Sequence, residues 1–186
     1  MTRIGRLVAL LAAAFICVAA GGAMAQKAPA IQIATMDSQQ ILRDAKAAQS
    51  VATQIRVFIG QLEKLAASEE AALKARQEQY RQQAAILAPE AQQQRQQELQ
   101  KAYTDAQRLL QERRNAIDRV RQQAFEVMKA QILAIIEELQ KERAFQMVLD
   151  RSSYSWAAPE LDITPEIIQR LDRRLPAVTV DKPQGF

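Results

Sequence analysis

The stretch QAAILAPEAQQQR, residues 83–95, decides how this chain folds. It lies inside more than 100 residues with a helical pattern, and Pro89 is the only proline between Pro29 and Pro159. A proline ring removes a backbone donor and clashes with the carbonyl four residues earlier, so a straight helix cannot pass through it. Proline is favoured, however, at the first position of a helix, where no donor is missed. Pro89 therefore marks either a kink in one long helix or the point where the chain reverses.

Apolar residues recur every three or four positions on both sides of Pro89. Before it, the pattern starts after Asp37, a residue that can cap a helix, and continues to Leu87. After it, the same spacing continues up to Leu139. Both apolar stripes are narrow, as in the seam of a coiled coil. The spacing thus predicts helix throughout residues 38–143, interrupted only at the proline.

Strand patterns flank the helical region. IQIATM precedes it, whereas AFQMVLD and SSYSWAA follow it, and in each segment apolar residues alternate. A short helix comes next, with Thr164 as the expected cap and Pro165 as its first residue. The predicted strand residues, which we expect in an oligomerisation body, are Ile31, Ile33, Phe145, Met147, Leu149, Tyr154 and Trp156.

The distances along the chain favour a reversal at Pro89. Asp37 lies 52 residues before the proline and Phe145 lies 56 residues after it. At about 1.5 Å per residue, each helical arm would be roughly 75–80 Å long. The first strand would then return beside the later strands, whereas a kink would leave distant, unpaired strand edges. The sequence therefore predicts a mainly α protein (α+β overall), in which a long antiparallel helical coiled-coil hairpin projects from a small β-rich body.

The first 25 residues have the parts of a cleaved secretory signal peptide. Arg3 and Arg6 precede an apolar run, and Ala23 and Ala25 are the small residues of the expected cleavage site. The run is short for a bilayer span, so an uncleaved anchor is the less favoured alternative. Cleavage would also remove Cys17 and would leave 23 basic against 21 acidic residues, a net charge of +2.

The rest of the chain divides into a body, an arm and a tail. The body has few strands and one short helix, which is too little to be stable alone, so we expect it to oligomerise. The predicted parts are residues 26–37 and 144–175 for the β-rich body, residues 38–143 for the hairpin arm, and residues 176–186 for a flexible tail.

The composition argues against an enzyme. The chain has no histidine, and without the signal peptide it has no cysteine and only two glycines, Gly60 and Gly185. These absences remove the commonest general base, thiol nucleophiles, most zinc sites and glycine-rich phosphate loops. We expect no catalytic residue, no metal site and no cofactor. A net charge of +2 also disfavours nucleic acid as a partner, because such binding requires a strong, clustered basic field.

The candidate binding residues lie on the arm. Ile86 and Leu87 occupy the predicted tip, where they either contact a partner or close the turn as an apolar plug. Phe58 and Leu65 have apolar neighbours that widen the stripe, so one member of each pair can face away from the other arm. Residues 60–130 contain 12 basic and 10 acidic side chains, a mixture typical of solvated helix faces. The basic candidates for attracting an acidic partner are Lys74, Arg76, Arg81, Arg95 and Lys101.

Taken together, these segments resemble the Skp/OmpH family of periplasmic chaperones. The resemblance rests on the signal peptide, the entry IQIATMDSQQIL, the long charged hairpin and the closing segment FQMVLDRSSYSWAAPELDITPEIIQRLD. It implies a homotrimer in the periplasm of a Gram-negative type envelope, with strands in a central body and three hairpins around a cavity. Such chaperones hold unfolded outer-membrane proteins without ATP and prevent their aggregation.

The mixed charge of the arm departs from the strongly basic arms of better-known family members. This departure disfavours electrostatic capture of a client and contact with lipopolysaccharide, and a peripheral contact with membrane lipid stays an open alternative. The alternative function is that of a structural or adaptor coiled-coil protein of the cell envelope. Such a protein would usually carry additional modules, for example a peptidoglycan-binding domain, and the sequence has no visible segment of that kind.

Overall fold

A computed structural model of the chain describes residues 31–186. The predicted signal peptide, with Ala23 and Ala25, lies outside the described residues. In chain order the elements are β1 (Ile33–Met36), α1 (Ser38–Asp44), α2 (Lys46–Gln83), α3 (Pro89–Arg143), β2 (Met147–Asp150), 3₁₀ turns at Arg151–Ser153 and Pro159–Leu161, and α4 (Thr164–Arg174).

The chain reverses before Pro89, and the predicted fold class is confirmed. Helices α2 and α3 pack against each other, and side chains at equal distances from the turn meet. For example, Gln96 Nε2 donates a hydrogen bond of 2.9 Å to the Tyr80 hydroxyl. Pro89 lies in the first turn of α3, where its missing N–H leaves no carbonyl unpaired. With 55 residues, α3 is about 82 Å long.

The body contains a two-stranded sheet in which β1 and β2 are parallel. Ile33 pairs with Met147 at one end and Met36 pairs with Asp150 at the other. Parallel strands require a long crossover connection, and the helical hairpin is that connection. On the other side of β1, Thr35 forms an isolated parallel bridge with the segment before α4. The return of the first strand beside a later one, predicted from the arm lengths, is therefore confirmed.

The structure corrects two details of the predicted strands. The strand expected through Tyr154 and Trp156 does not form, because the chain turns directly after β2. The Asp150 carboxylate accepts a hydrogen bond of 3.0 Å from the Ser152 N–H and so caps a 3₁₀ turn there. Phe145 precedes β2 instead of lying in it, and its side chain is buried in the core.

The single helix predicted from Ser38 to the tip is interrupted at Ala45. Asp37 caps α1 as predicted, but Ala45 has an extended backbone, with φ −66° and ψ 135°. Helix α2 then begins at Lys46 without a side-chain cap from its own N-cap residue. Instead, the Asp172 carboxylate on α4 accepts a hydrogen bond of 2.8 Å from the Lys46 N–H. Because this acceptor lies far away in sequence, local periodicity could not predict the break.

Helix α4 also begins differently from the prediction. Ile163 occupies the N-cap position and Thr164 is the first helical residue, so Pro165 falls at the second position. The Thr164 N–H donates to the Asp162 carboxylate at 2.8 Å. Its buried hydroxyl accepts a hydrogen bond of 2.8 Å from the Asp37 N–H, which attaches the end of β1 to the start of α4.

The hydrophobic core lies at the base of the hairpin, where α1, α4 and the sheet surround the ends of the arms. The distal arm, defined here as residues 66–110, is thin by comparison, because Ala106 is its only buried residue. The largest fully buried apolar side chains of the core are Ile41, Val51, Met128, Ile135, Leu139, Ile163, Ile167 and Leu171.

The C-terminal tail, residues 176–186, packs on the base of the hairpin. Val178 and Val180 are 6% and 7% exposed and belong to the core. This packing differs from the flexible tail expected from the sequence. The physical reason is the alternation of the two valines, which lets an extended segment bury both side chains on one side.

Candidate functional site

The two apolar residues predicted at the hairpin tip differ in their exposure to solvent. Ile86 is 85% exposed, whereas Leu87 is half-buried. The Gln92 side chain lies beneath the turn, and its Nε2 donates to the Ala84 carbonyl at 2.8 Å and to the Leu87 carbonyl at 3.1 Å. These carbonyls follow the end of α2 and lack helical partners. A side-chain amide therefore holds a turn that contains no glycine and leaves Ile86 in solvent.

The predicted basic residues of the arm are exposed, and most are paired within their own helix. Lys101 donates a hydrogen bond to Asp105, which lowers the pKa of that carboxyl. Arg76 and Arg95 come from different arms, and the structure brings both to one shallow cleft of about 430 Å³. Lys74 is exposed on α2 outside this cleft. The ion pairs are Arg81–Glu78 at 3.6 Å, Arg95–Glu98 at 2.8 Å and Lys101–Asp105 at 2.6 Å.

The two predicted apolar contacts in the middle of α2 are only half exposed. Phe58 lies beneath the C-terminal residue, with the Phe58 and Phe186 rings 5.9 Å apart in an edge-to-face arrangement. Its neighbours Val57 and Ile59 are the side chains that face solvent. Leu65 is half-buried further along the helix. The widened stripe that the sequence indicated is therefore present, but its exposed members are the neighbours of Phe58.

An apolar groove at the base of the hairpin was not identified from the sequence. It has a volume of about 400 Å³ and lies between α1 and α3. The exposed side chains of Leu42, Phe125 and Leu133 line it, above buried Ile41 and Met128. Leu42, Phe125 and Leu133 each directly follow a residue of the apolar helical stripe. Two adjacent apolar residues widen such a stripe, and this widening is the signal from which the groove could have been predicted.

The predicted body residues differ widely in exposure. Trp156 is 80% exposed and Met147 is 49% exposed, whereas Phe145 is buried. Among the described residues, β2 pairs only with β1, so its outer edge is unpaired in the single chain. The remaining predicted members are Ile31, which is exposed, and Ile33, Leu149 and Tyr154, which are half-buried.

Asp150 is the most perturbed carboxyl of the body. Its carboxylate accepts hydrogen bonds from the hydroxyl and N–H of Ser152 and from the Ser38 N–H at 3.1 Å. These bonds, foremost that of the Ser152 hydroxyl, hold the pKa of Asp150 well below its usual range. Since Ser38 opens α1, this negative charge also lies at the positive end of a helix. Asp150 therefore connects β2 to the start of the hairpin.

Ion pairs attach α4 to the base of α3. Arg170 forms two hydrogen bonds to the Glu142 carboxylate, at 2.8 and 2.6 Å, and Arg174 pairs with Glu138. These contacts lower the pKa of both glutamates. The groups are partly in solvent, where single ion pairs contribute little, so the network serves mainly to orient α4.

The described residues offer contact surfaces. In residues 31–186 no helix has an apolar stretch long enough to cross a membrane. The same part of the chain contains no cluster of three or more side chains of the metal-binding types. What it presents is an exposed apolar tip, an apolar groove, an exposed tryptophan on the body and mixed charges along the arm.

Comparisons with known proteins agree with this architecture. The family model described as "Outer membrane protein (OmpH-like)" matches residues 32–171, which leaves the tail outside the match. A candidate outer membrane chaperone (OmpH-like) from Caulobacter crescentus CB15 has a similar fold, with a TM-score of 0.70 and 22% sequence identity. The similarity covers 84% of this chain and 94% of that chain. No curated protein sequence matches the chain.

Proposed function

The chain belongs to the OmpH-like outer membrane protein family, and on that premise we propose that it is an ATP-independent periplasmic holding chaperone. Its clients would be unfolded outer-membrane proteins, which it would keep from aggregating without catalysis or a cofactor. The similar Caulobacter structure is itself described as that of a candidate outer membrane chaperone. The observation that carries the proposal is the distal arm, which has a single buried residue and extends far from the body.

Client contacts would be numerous and individually weak. Exposed apolar side chains are spread along the arm, at Val57, Ile59, Tyr103 and Ile86. Each offers a small apolar area, and burial of apolar area contributes only about 25 cal/mol per Å². A client held by such contacts can change its conformation without being released. This is the behaviour required of a chaperone that holds an unfolded chain.

Charge would have a smaller role than apolar contact. Lys74 and Arg76 are exposed on α2 and can meet an acidic client segment, but Arg95 and Lys101 already have acidic partners in their own helix. Exposed ion pairs contribute at most about 1 kcal/mol each and are screened by salt. We therefore expect client retention to depend weakly on ionic strength.

The body would assemble three chains into a homotrimer. The unpaired outer edge of β2 exposes backbone groups that pair readily with another strand. Trp156 and Met147 are large apolar side chains exposed on the same small body, and such surfaces typically become covered by a partner. Another copy of the chain that covers them would account for both features. The three hairpins would then surround a cavity in which a client is held.

The proposal is tested by shortening the arm and measuring assembly and client binding by native mass spectrometry. In the variant, a short glycine-containing turn replaces residues 66–110, which keeps the core and the tail contacts. We expect the full chain to bind an unfolded β-barrel protein as a trimer and the shortened chain to remain a trimer that binds it far more weakly, through the contacts that remain at the base of the arm. A matched control, Gln93→Ala with Gln97→Ala, changes two exposed distal residues and should bind normally.

Other results would distinguish the alternatives. Loss of the trimer on shortening would place the assembly interface in the arm and contradict assembly through the body. Client binding by the shortened trimer that is as tight as that of the full chain would show that the distal arm is not the main contact surface. An intact full-length trimer that binds no client would favour a structural or adaptor protein of the envelope.

A further inference from the structure

The tail, residues 176–186, contacts the hairpin in the way that a bound extended peptide contacts a receptor. After α4 it passes Ser50 and Gln54 on α2 and ends with Phe186 between Phe58 and Arg113. The surface of α2 and α3 that receives the tail is called the tail groove below. The family match ends at residue 171, so the tail lies outside the part of the chain that the family model describes.

Gln54 binds the tail backbone with both ends of its side-chain amide. Its Nε2 donates to the Val178 carbonyl at 2.7 Å, and its Oε1 accepts from the Val180 N–H at 2.9 Å. The Ser50 hydroxyl also approaches the Val178 carbonyl at 3.4 Å. In a β-sheet, a residue of the neighbouring strand likewise donates one backbone hydrogen bond and accepts another, so the Gln54 amide takes the place of such a residue. Because only main-chain groups of the tail take part, this recognition does not depend on the tail's sequence.

The apolar part of the recognition follows the period of a strand. Val178 and Val180 are buried while Thr179 between them is exposed, so the groove accepts every second side chain. Pro183 is fully buried further along. The part of the groove at Val178 and Val180 therefore accepts an extended segment with small apolar residues at alternate positions, and the spacing changes before Pro183.

The far end of the groove receives an aromatic residue. The Phe186 ring packs edge-to-face on Phe58, and the Arg113 guanidinium lies 5.8 Å from the centre of the same ring. Arg113 Nη1 donates to the Gln184 carbonyl at 2.8 Å, whereas its buried Nε has no hydrogen-bond partner among the described residues. A cavity of about 290 Å³ lies beside this point and is also lined by Ala116. A ligand longer than the tail thus has space available beside this point.

We propose that the tail groove is a binding site for extended polypeptide segments with apolar residues at alternate positions, and that the tail is its resident ligand. Strands of transmembrane β-barrels have this alternation, since lipid-facing and lumen-facing residues succeed one another. The choice of unfolded barrel segments as the external ligand rests on the proposed function. A client segment binds by displacing the tail.

Because a client segment must displace the tail, only segments with sufficient affinity for the groove can bind there. A tethered ligand competes at an effective concentration of about a millimolar, so weakly matching segments do not enter. A segment that does enter leaves again easily, because the tail returns as soon as part of the groove is vacated. The tail therefore makes binding at this site selective and reversible.

The groove is tested with a fluorescent peptide of residues 176–186 and full chains that carry changes in their own tail. The double substitution Val178→Asp and Val180→Asp should release the tail, so that this chain binds the peptide at least about tenfold tighter than the unaltered chain. Adding Gln54→Ala should weaken that binding by about tenfold, since two hydrogen bonds are lost. Thr179→Asp is the matched control, because an exposed residue receives the charge and the peptide affinity should stay that of the unaltered chain.

A second measurement uses an unaltered groove and does not depend on whether the double variant folds. A fluorophore on Thr179→Cys, in a chain that starts at residue 26 and so has no other cysteine, reports the mobility of the tail. Addition of an unfolded β-barrel protein should lower the fluorescence anisotropy as the tail is displaced.

Two results would overturn the inference. One is a folded double variant that fails to bind the peptide or binds it equally well after Gln54→Ala. The other is a labelled tail that stays immobile while the client is held in solution, which would refute the groove but leave the chaperone proposal intact. Conversely, a tail displaced by a client that still aggregates would support the groove and contradict the chaperone proposal.

Discussion

The Asp172 carboxylate accepts a hydrogen bond of 2.8 Å from the backbone N–H of Lys46. Through this contact the C-terminal helix α4 caps α2, the first long helix of the hairpin. The chain is extended immediately before Lys46, so the bond holds α2 at the point where its direction is set. The attachment of the arm to the body therefore depends on a contact between residues far apart in sequence.

Removal of this cap should destabilise the protein. We expect Asp172→Ala to lower the free energy of unfolding by about 1 kcal/mol, the usual cost of losing an N-cap. Asp172→Asn should retain most of the stability, because an amide oxygen can accept the same bond. Urea denaturation followed by circular dichroism measures the effect, with Asp181→Ala on the exposed tail surface as a control. An alanine variant as stable as the unaltered chain would contradict the role of the cap.

Asp150 should make the protein sensitive to acid. Its pKa lies below that of an unfolded aspartate, so the unfolded state binds the proton more readily than the folded state. The stabilisation is complete above the unfolded pKa of about 3.9 and is lost progressively as the pH falls below it. Asp150→Asn should therefore be less stable than the unaltered chain at neutral pH and lose less stability on acidification.

Melting temperatures measured from neutral pH to about pH 3 test this prediction. The melting temperatures of the unaltered chain and of Asp150→Asn should approach each other as the pH falls. A difference in melting temperature that is the same at every pH would show that the Asp150 charge does not contribute to stability.

The two tip residues should have different roles. Ile86→Ser should change the free energy of unfolding by less than about 0.5 kcal/mol, as for most surface substitutions, yet reduce client retention. Leu87→Ser should lower stability by about 1 kcal/mol, because a half-buried apolar side chain is lost from the closed turn. Denaturation and client binding are measured on both variants, with exposed Ala85→Ser as the neutral control. Unchanged client retention in the Ile86 variant would exclude the tip as a contact.

Trp156 should report assembly of the body. It is the only tryptophan and is 80% exposed in the single chain, so a partner that covers it must change its fluorescence. The assembled protein should emit at shorter wavelength than an exposed tryptophan, and dilution should shift the emission to longer wavelength. This shift should coincide with dissociation measured by analytical ultracentrifugation. A solvent-exposed emission from the intact oligomer would place Trp156 outside the interface.

The overall fold could be predicted because its main determinants are local or depend on simple lengths. Pro89 excludes a continuous helix, and two arms of similar length return the chain to its first strand. The helix break at Ala45 could not be predicted in the same way, because the hydrogen bond that stabilises it is accepted by Asp172, which lies far away in sequence. The strand expected at Tyr154 was wrong because Asp150 favours a tight turn with its own neighbours over continued extension.

The candidate binding surfaces were predicted less completely than the fold. Ile86 was predicted as a candidate contact because the tip has few packing partners, and the structure leaves its side chain exposed. The groove beside Leu42 and Phe125 exists only after α1 packs beside α3, which periodicity along one helix does not describe. In the tail, the alternation of Val178 and Val180 indicates an extended segment, but two alternating residues are too short a pattern to predict a bound strand.

The central claim, that the chain holds unfolded outer-membrane proteins without nucleotide, is tested most directly by light scattering. An unfolded β-barrel protein is diluted from urea into buffer that contains a stoichiometric amount of the chain and no nucleotide. We predict that the scattering stays at the level of the chain alone. Aggregation as fast as in buffer, with a preparation shown to be an intact trimer, would contradict the claim.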